Sequence, residues 1–350
     1  MRHRRASARL HLLGIVIACC AVAASIAAAS AAAGSPRSPS SADKTIRIAV
    51  LLSSTANTYE QADLAGVKAA AAKYGGKVEK VFDANFDAST QSSQVQDATT
   101  AKQYDAFVIV PQAGNVLTPQ VRAAAQAGIK VVCLLSPCGP NQQSNARQIP
   151  GYVTTVGYQF KENGTDIGKA IVQACGSLNP CKVAYEPGLL SFSTEVFRTN
   201  AIKAYLKKYP HIQIVAEQEG KYLANTGRTA MQNMLQAHSD INVAASSGDQ
   251  MTAGMEQAVK SAGMTGKIKL IGNGASKPGV AAVAAGRWYA TVANLPYTEG
   301  YLGAKYAIMA AKGTPLSKIP SFVDDLKFSP VGTTIITGDN AKKFKAQWAG

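Results

Sequence analysis

From Thr45 onward the sequence alternates without a lapse between short apolar runs and segments whose apolar residues recur at helical spacing. The first unit shows how. IRIAVLL (46–52) is apolar and β-branched, as a strand buried on both faces should read. SSTAN breaks the run, and then Tyr59, Ala62, Leu64, Ala65, Val67, Ala69, Ala70 and Ala72 recur at helical spacing until Gly75-Gly76 stops them. Strand, polar loop and helix repeat every ~25 to 30 residues, the size of a βαβ crossover. Such a chain is confined to α/β architecture with mostly parallel sheets. Ligands of these sheets sit in the loops beyond the carboxyl ends of the strands. Ser53, Ser54, Thr55, Asn57 and Tyr59 occupy that place. A solvated loop with Thr55 or Asn57 capping the helix fits the same residues.

The alternation runs in two cycles. KVEKVFDANFDAS, DAFVIVPQAG and IKVVCLLSPCG continue the first as strands, with TPQVRAAAQAG a helix capped by Thr118 and carrying Pro119 at its first position. The irregular NQQSNARQIPGY follows, and strands from YVTTVGY to WYATVANLP make the second cycle. The helix YTEGYLGAKYAIMAAKG and an extended tail, PSFVDDLKFSPVGTTIIT, close the chain. The pattern predicts two doubly wound, mostly parallel α/β lobes with the post-strand loops facing a cleft between them, where small ligands are held.

The first 43 residues stand outside this rhythm. Arg2, Arg4, Arg5 and Arg9 precede the small apolar run Leu10–Ala33, the layout of a secretory signal cleaved near Ala33, and residues 34–43 read as a linker. Lipid attachment at Cys19 and a retained membrane anchor are the alternatives. The formal charge of +15 falls to about +11 without the four leader arginines. The remaining lysines are scattered along helices rather than clustered into a stripe, which argues against a nucleic-acid partner. Export favours disulfides, and the four cysteines beyond the leader fall into local pairs, Cys175/Cys181 and Cys133/Cys138. The first spans a Pro-containing turn between helix and strand. In the second, Cys133 lies in a strand, whose geometry works against closing so short a loop. With only His211 and His238 beyond the leader and no CxxC, zinc is disfavoured, and no cofactor motif is present.

Three stretches carry a family resemblance: SSTANTYEQADLAGVKAAAAKYG, AMQNMLQAHSDINVAASSGDQMTAGMEQAVKSAG and IKLIGNGASKPGVAAVAAGRWYATVANLPYTEGYLGAKYA. In this order and spacing they resemble the ribose-binding-type (type I) periplasmic substrate-binding proteins of bacterial ABC importers, over about residues 45–340. The resemblance implies a first lobe of 44–156 plus 295–322, a second of 157–294 plus 323–350, and a hinge of three strands that bends on ligand binding.

It also implies site residues. Asn57 and Tyr59 match positions that hydrogen-bond and stack on a sugar, and Glu60 replaces a second aromatic often found there. Gln112 follows the third strand at a cleft-lining position. Leu135-Ser136 stands where sugar binders usually carry Asp-Arg, which counts against a simple aldopentose. Arg198 matches a ligand-contacting arginine, Tyr222 a stacking aromatic, Asp249 a loop acid, Asn273 an amide near a usual Asp, and Asn294 the hinge amide before Leu295-Pro296. Plainer roles fit the same residues: turn formation for Asn57 and Asn294, an ion pair with Glu195 for Arg198, core packing for Tyr59 and Tyr222, and a helix cap for Asp249.

The expectation is therefore a monomeric extracytoplasmic receptor that hands a small, sugar-like solute to an ABC permease. A sensor domain on the same fold, reporting to a signalling partner, is the alternative. An enzyme is disfavoured, since G-x-S-x-G, HExxH, the P-loop and a post-strand GxGxxG are all missing from the sequence.

Overall fold

The computed structural model describes residues 44–350. The predicted leader, its cleavage site, Cys19 and the linker lie outside the described residues. No described helix is long and apolar enough to cross a membrane.

The first cycle runs β1 (Ile46–Leu52), α1 (Thr58–Tyr74), β2 (Gly76–Asp83), α2 (Ala88–Ala101), β3 (Ala106–Ile109), α3 (Thr118–Gln126), β4 (Lys130–Leu134) and β5 (Thr154–Gly157). The second runs α4 (Phe160–Cys175), β6 (Cys181–Glu186), α5 (Ser193–Leu206), β7 (Ile212–Glu217), α6 (Ala224–Ala237), β8 (Val243–Ser246), α7 (Asp249–Ser261), β9 (Lys269–Gly274), α8 (Lys277–Ala284) and β10 (Ala290–Ala293). Then come α9 (Pro296–Ala311), β11 (Phe322–Asp324) and β12 (Ile335–Thr337).

Two six-stranded sheets result, ordered β11-β5-β4-β3-β1-β2 and β12-β10-β9-β8-β6-β7. All neighbours are parallel except β10 and β12. β1 explains the stacking. Ile46, Ile48, Val50 and Leu52 face one core with α1 and α9, while Ala49 and Leu51 face another with α2 and α3. Period-two alternation divides one apolar run between two faces. The second sheet is covered on both faces in the same way.

The chain passes between the sheets after β5, after β10 and after β11. On its return α9 lies against α1 at glycine contacts: a Cβ on Gly66 would stand 2.1 Å from the Tyr297 carbonyl oxygen, and one on Gly300 2.0 Å from that of Asp63. The expected boundary at residue 322 falls inside β11, which pairs with β5 through Asp324. The tail is also less extended than its sequence suggested, because a 3₁₀ turn over Asp325–Phe328 separates β11 from β12. Thr118 does not cap α3. Leu117 holds the cap position without a side-chain bond, and the Thr118 hydroxyl is buried without a partner.

Both cysteine pairs are disulfides, with Cα separations of 6.1 Å for Cys133–Cys138 and 5.8 Å for Cys175–Cys181. The strand position of Cys133 is no obstacle. Leu135 turns left-handed at φ +64° just beyond β4, which folds the chain back toward the strand end.

Candidate functional site

The carboxyl ends of both sheets open onto one cleft, lined from the first by Ser53, Asn57, Tyr59, Glu60, Phe86, Val110, Pro111, Leu135 and Ser136. From the second come Phe192, Thr194, Arg198, Tyr222, Ser247, Gly248, Gln250 and Asn273, with Tyr158, Phe160 and Asn294 at the crossings and Trp348 from the tail.

The loop after β1 is built by the first turn of α1. Asn57 caps the helix, its Oδ1 accepting from the Tyr59 N–H at 2.9 Å. Glu60 folds back to accept from the Ser53 and Ser54 N–H groups at 2.8 and 3.2 Å and from the Ser53 hydroxyl. Burial raises the Glu60 pKa to about 7, against the lowering effect of those bonds. Tyr59 lines the cleft with its ring and meets Trp348 edge-on at 5.5 Å between centroids. Its hydroxyl donates to the buried Glu299 at 2.9 Å and is therefore committed to the protein rather than left for a ligand.

In the second lobe a buried network surrounds Arg198. Its Nε donates to Asn163 Oδ1 at 2.8 Å, Nη1 to Glu195 and to the Tyr222 hydroxyl at 3.0 Å, and Nη2 to the Tyr158 hydroxyl at 3.2 Å. The guanidinium also lies over the Phe160 ring, 4.9 Å from its centroid. Tyr222 donates to Glu195 at 2.5 Å. Burial works against the arginine's charge, and Glu195 with the tyrosines more than offsets it, so its pKa stays well above the ordinary value. The ion pair expected as the plainer role of Arg198 is present, and the same side chain lines the cleft.

The two amides of the second sheet differ. Asn273 is used by its neighbours, donating to the Ser247 carbonyl at 3.0 Å and accepting from Asn163 at 2.9 Å. Asn294 Oδ1 is buried with no partner. A buried acceptor in that state is costly unless a ligand donor reaches it.

Eight of the ten expected positions thus share this cleft: Asn57, Tyr59, Glu60, Ser136, Arg198, Tyr222, Asn273 and Asn294. Gln112 and Asp249 do not line it. The Gln112 backbone N–H donates to the Gln91 side chain at 2.7 Å and its Oε1 is buried unpaired, while Val110 and Pro111 take the cleft position in that loop. The Asp249 carboxylate is bound by the Ser276 N–H and hydroxyl and by the Thr291 hydroxyl, each at 2.7 Å. It ties α7 to α8 and β10, and its neighbours Gly248 and Gln250 face the cleft instead.

Trp348 had no sequence signal beyond being one of two tryptophans in the chain. Its indole N–H donates to the Gly274 carbonyl at 2.6 Å while its ring meets Tyr59, so the tail spans both sheets at the cleft. Nearby, the Thr58 hydroxyl donates to the Gly350 carbonyl at 2.8 Å. Phe86, Tyr158, Phe160 and Phe192 were also missed; their rings reach the cleft from loops and crossings whose paths local patterning does not set.

The profile of the periplasmic binding protein domain matches residues 48–315. Among curated relatives, the ribose import binding protein of Bacillus subtilis is 27% identical over 275 residues, 79% of this chain and 85% of its own. The D-allose-binding periplasmic protein of Escherichia coli is 27% identical over 279 residues, 78% and 88% of the two chains. Among solved structures, an ABC transporter solute-binding protein from Mycobacterium smegmatis with bound glycerol is 28% identical at a TM-score of 0.72, covering 88% of this chain and all of its own.

Proposed function

Since the chain belongs to the periplasmic binding protein family, we propose that it is an extracytoplasmic receptor that captures a small, sugar-like solute between its lobes and passes it to an ABC permease. The observation that carries this is the convergence of post-strand loops from both sheets on one aromatic-walled cleft, with the unpaired Asn294 Oδ1 among its lining groups. Rings supply faces for the C–H groups of a sugar. Asn57, Ser136, Thr194, Gln250 and Asn294 supply neutral polar groups for its hydroxyls. The curated relatives named above are binding proteins, one for ribose import and one for D-allose, and the cleft is read as one that binds and releases rather than one that turns a substrate over. Capture would draw the lobes together about the three crossings, and the closed form would dock on the permease as a monomer.

A thermal-shift screen of protein freed of bound ligand by refolding tests it, using pentoses, hexoses, polyols, nucleosides and aryl glycosides. A ligand at about a hundred times its dissociation constant stabilises the native state by about 2.7 kcal/mol. The expected result is a selective shift that Asn294→Ala abolishes. No shift with any of these classes would remove the sugar-receptor function.

A further inference from the structure

On the basis of the receptor function proposed above, we infer that the ligand is uncharged and carries an apolar substituent: a sugar-sized ring in which a deoxy, alkyl or aryl group replaces or caps part of the hydroxyl array. Two independent observations lead there.

The first is how the charged groups of the cleft are spent. Sugar hydroxyls are strongly held by side chains that offer charge and several bonds at once. Among the described residues, Glu60 and Arg198 are the only acidic and basic side chains lining this cleft. Glu60 accepts from two backbone N–H groups and a serine hydroxyl. Arg198 has four partners, one of them the carboxylate of Glu195, and an aromatic ring beneath its guanidinium. Both are oriented by protein, and Arg198 is also balanced by a carboxylate. An anionic ligand would find no free cation here, and a cationic one only a carboxyl that already accepts three hydrogen bonds. A fully hydroxylated ring would have to satisfy every hydroxyl on neutral side chains.

The second is where the backbone is strained. Phe86, Leu135 and Tyr222 hold left-handed conformations, with φ of +60°, +64° and +57°, and all three line the cleft. Bulky L residues seldom adopt that region, and such strain gathers at ligand clamps. Glycine or asparagine would meet the backbone requirement more easily. What the bulky residues add is apolar surface inside the cleft. Leu135 packs on the Tyr59–Trp348 cluster, and Tyr222 lies near-parallel to Phe192 at 6.4 Å between centroids. One wall from each lobe is thus apolar, and together they fit a flank without hydroxyls.

Calorimetry on refolded protein with matched pairs tests the inference: D-galactose against D-fucose, and D-glucose against phenyl β-D-glucopyranoside, with D-glucuronate and D-glucosamine as charged controls. A member with the apolar group should bind about tenfold tighter or more than its parent, the discrimination one apolar group brings in an apolar pocket, and the charged controls should bind weakest. Leu135→Asn, a substitution suited to the left-handed backbone, should still bind and should shrink that ratio several-fold. Equal or tighter binding of a bare hexose, tighter binding of a charged control, or an unchanged ratio in Leu135→Asn would overturn the inference while leaving the receptor function standing. Binding of none of these compounds would remove both.

Discussion

In the second lobe a buried carboxylate meets a buried guanidinium: Glu195 accepts from Arg198, from the Tyr222 hydroxyl and from the Ser247 hydroxyl at 2.5 Å. In the first lobe the buried carboxyls Asp63 on α1, Glu299 on α9 and Asp325 beyond β11 face mainly one another. Both oxygens of Asp63 and of Asp325, and one of Glu299, have no hydrogen-bond partner. Burial, reinforced by mutual repulsion, pushes Asp63 and Glu299 well above the ordinary carboxyl range. Burial and the charge of Asp324 raise Asp325 to about 8. The same physical problem has two solutions: the Arg198 site keeps the charge and supplies a partner, while the α1–α9 contact sheds it by holding the proton. Glu186 on β6 of the second lobe does the same as the latter: its carboxyl oxygens have no partner, and burial raises its pKa to about 9. Arg198 of the paired site also lines the cleft. The neutralised acids of the first lobe sit behind Tyr59, at the packed contact of α1 and α9.

Breaking the paired side should have the largest effect. Arg198→Ala strands Glu195 without its counter-ion and takes donors from Asn163, Tyr158 and Tyr222, so a loss of about 3–5 kcal/mol is expected in urea denaturation. The double replacement Glu195→Gln, Arg198→Met should recover much of it. A loss under about 1 kcal/mol for the single variant would mean that the pair is solvated and that the contrast between the two sites is false.

The unpaired side should respond to pH with a definite sign. Acids whose pKa is raised by folding bind more protons in the native than in the unfolded state between about pH 4 and their folded values, so stability falls as pH rises through that window. Glu60, raised to about 7, acts in the same direction. The unfolding free energy from urea denaturation should therefore rise from about pH 8.5 to about pH 5.5, and Asp325→Asn should shrink that rise by on the order of 2 kcal/mol. Parallel pH profiles for the two proteins would place the proton elsewhere.

The smallest effect sharpens the comparison. Tyr59→Phe removes the hydroxyl that donates to Glu299 while keeping the ring against Trp348. About 1 kcal/mol of stability should be lost. Ligand affinity should be nearly unchanged, since the hydroxyl is already committed. A large loss of affinity measured by calorimetry would show that the hydroxyl turns to the ligand.

Much of this protein was legible before folding. The run 46–52, the helical spacing to Ala72 and the Gly75 stop specify β1 and α1 within a residue or two, because periodicity and caps act over one or two turns of chain. A helix cap at Thr55 or Asn57, which the structure gives to Asn57, and the Cys175–Cys181 bridge were readable for the same reason. Family resemblance, rather than periodicity, pointed to Arg198 and Asn294. Where side chains point was another matter. Asp249 opens α7, where Ser276 and Thr291 hold its carboxylate away from the cleft; after β3 the Gln112 backbone is fixed by Gln91, and Val110 and Pro111 take the cleft position instead. Trp348 enters because β12 anchors the tail on the second sheet, and nothing near residue 348 in the sequence records that pairing. The sequence alone determined the alternation, and with it two mostly parallel sheets whose loops line one cleft. The tertiary structure alone decided which side chains face that cleft and which buried acids keep their charge, because both depend largely on partners tens to hundreds of residues away.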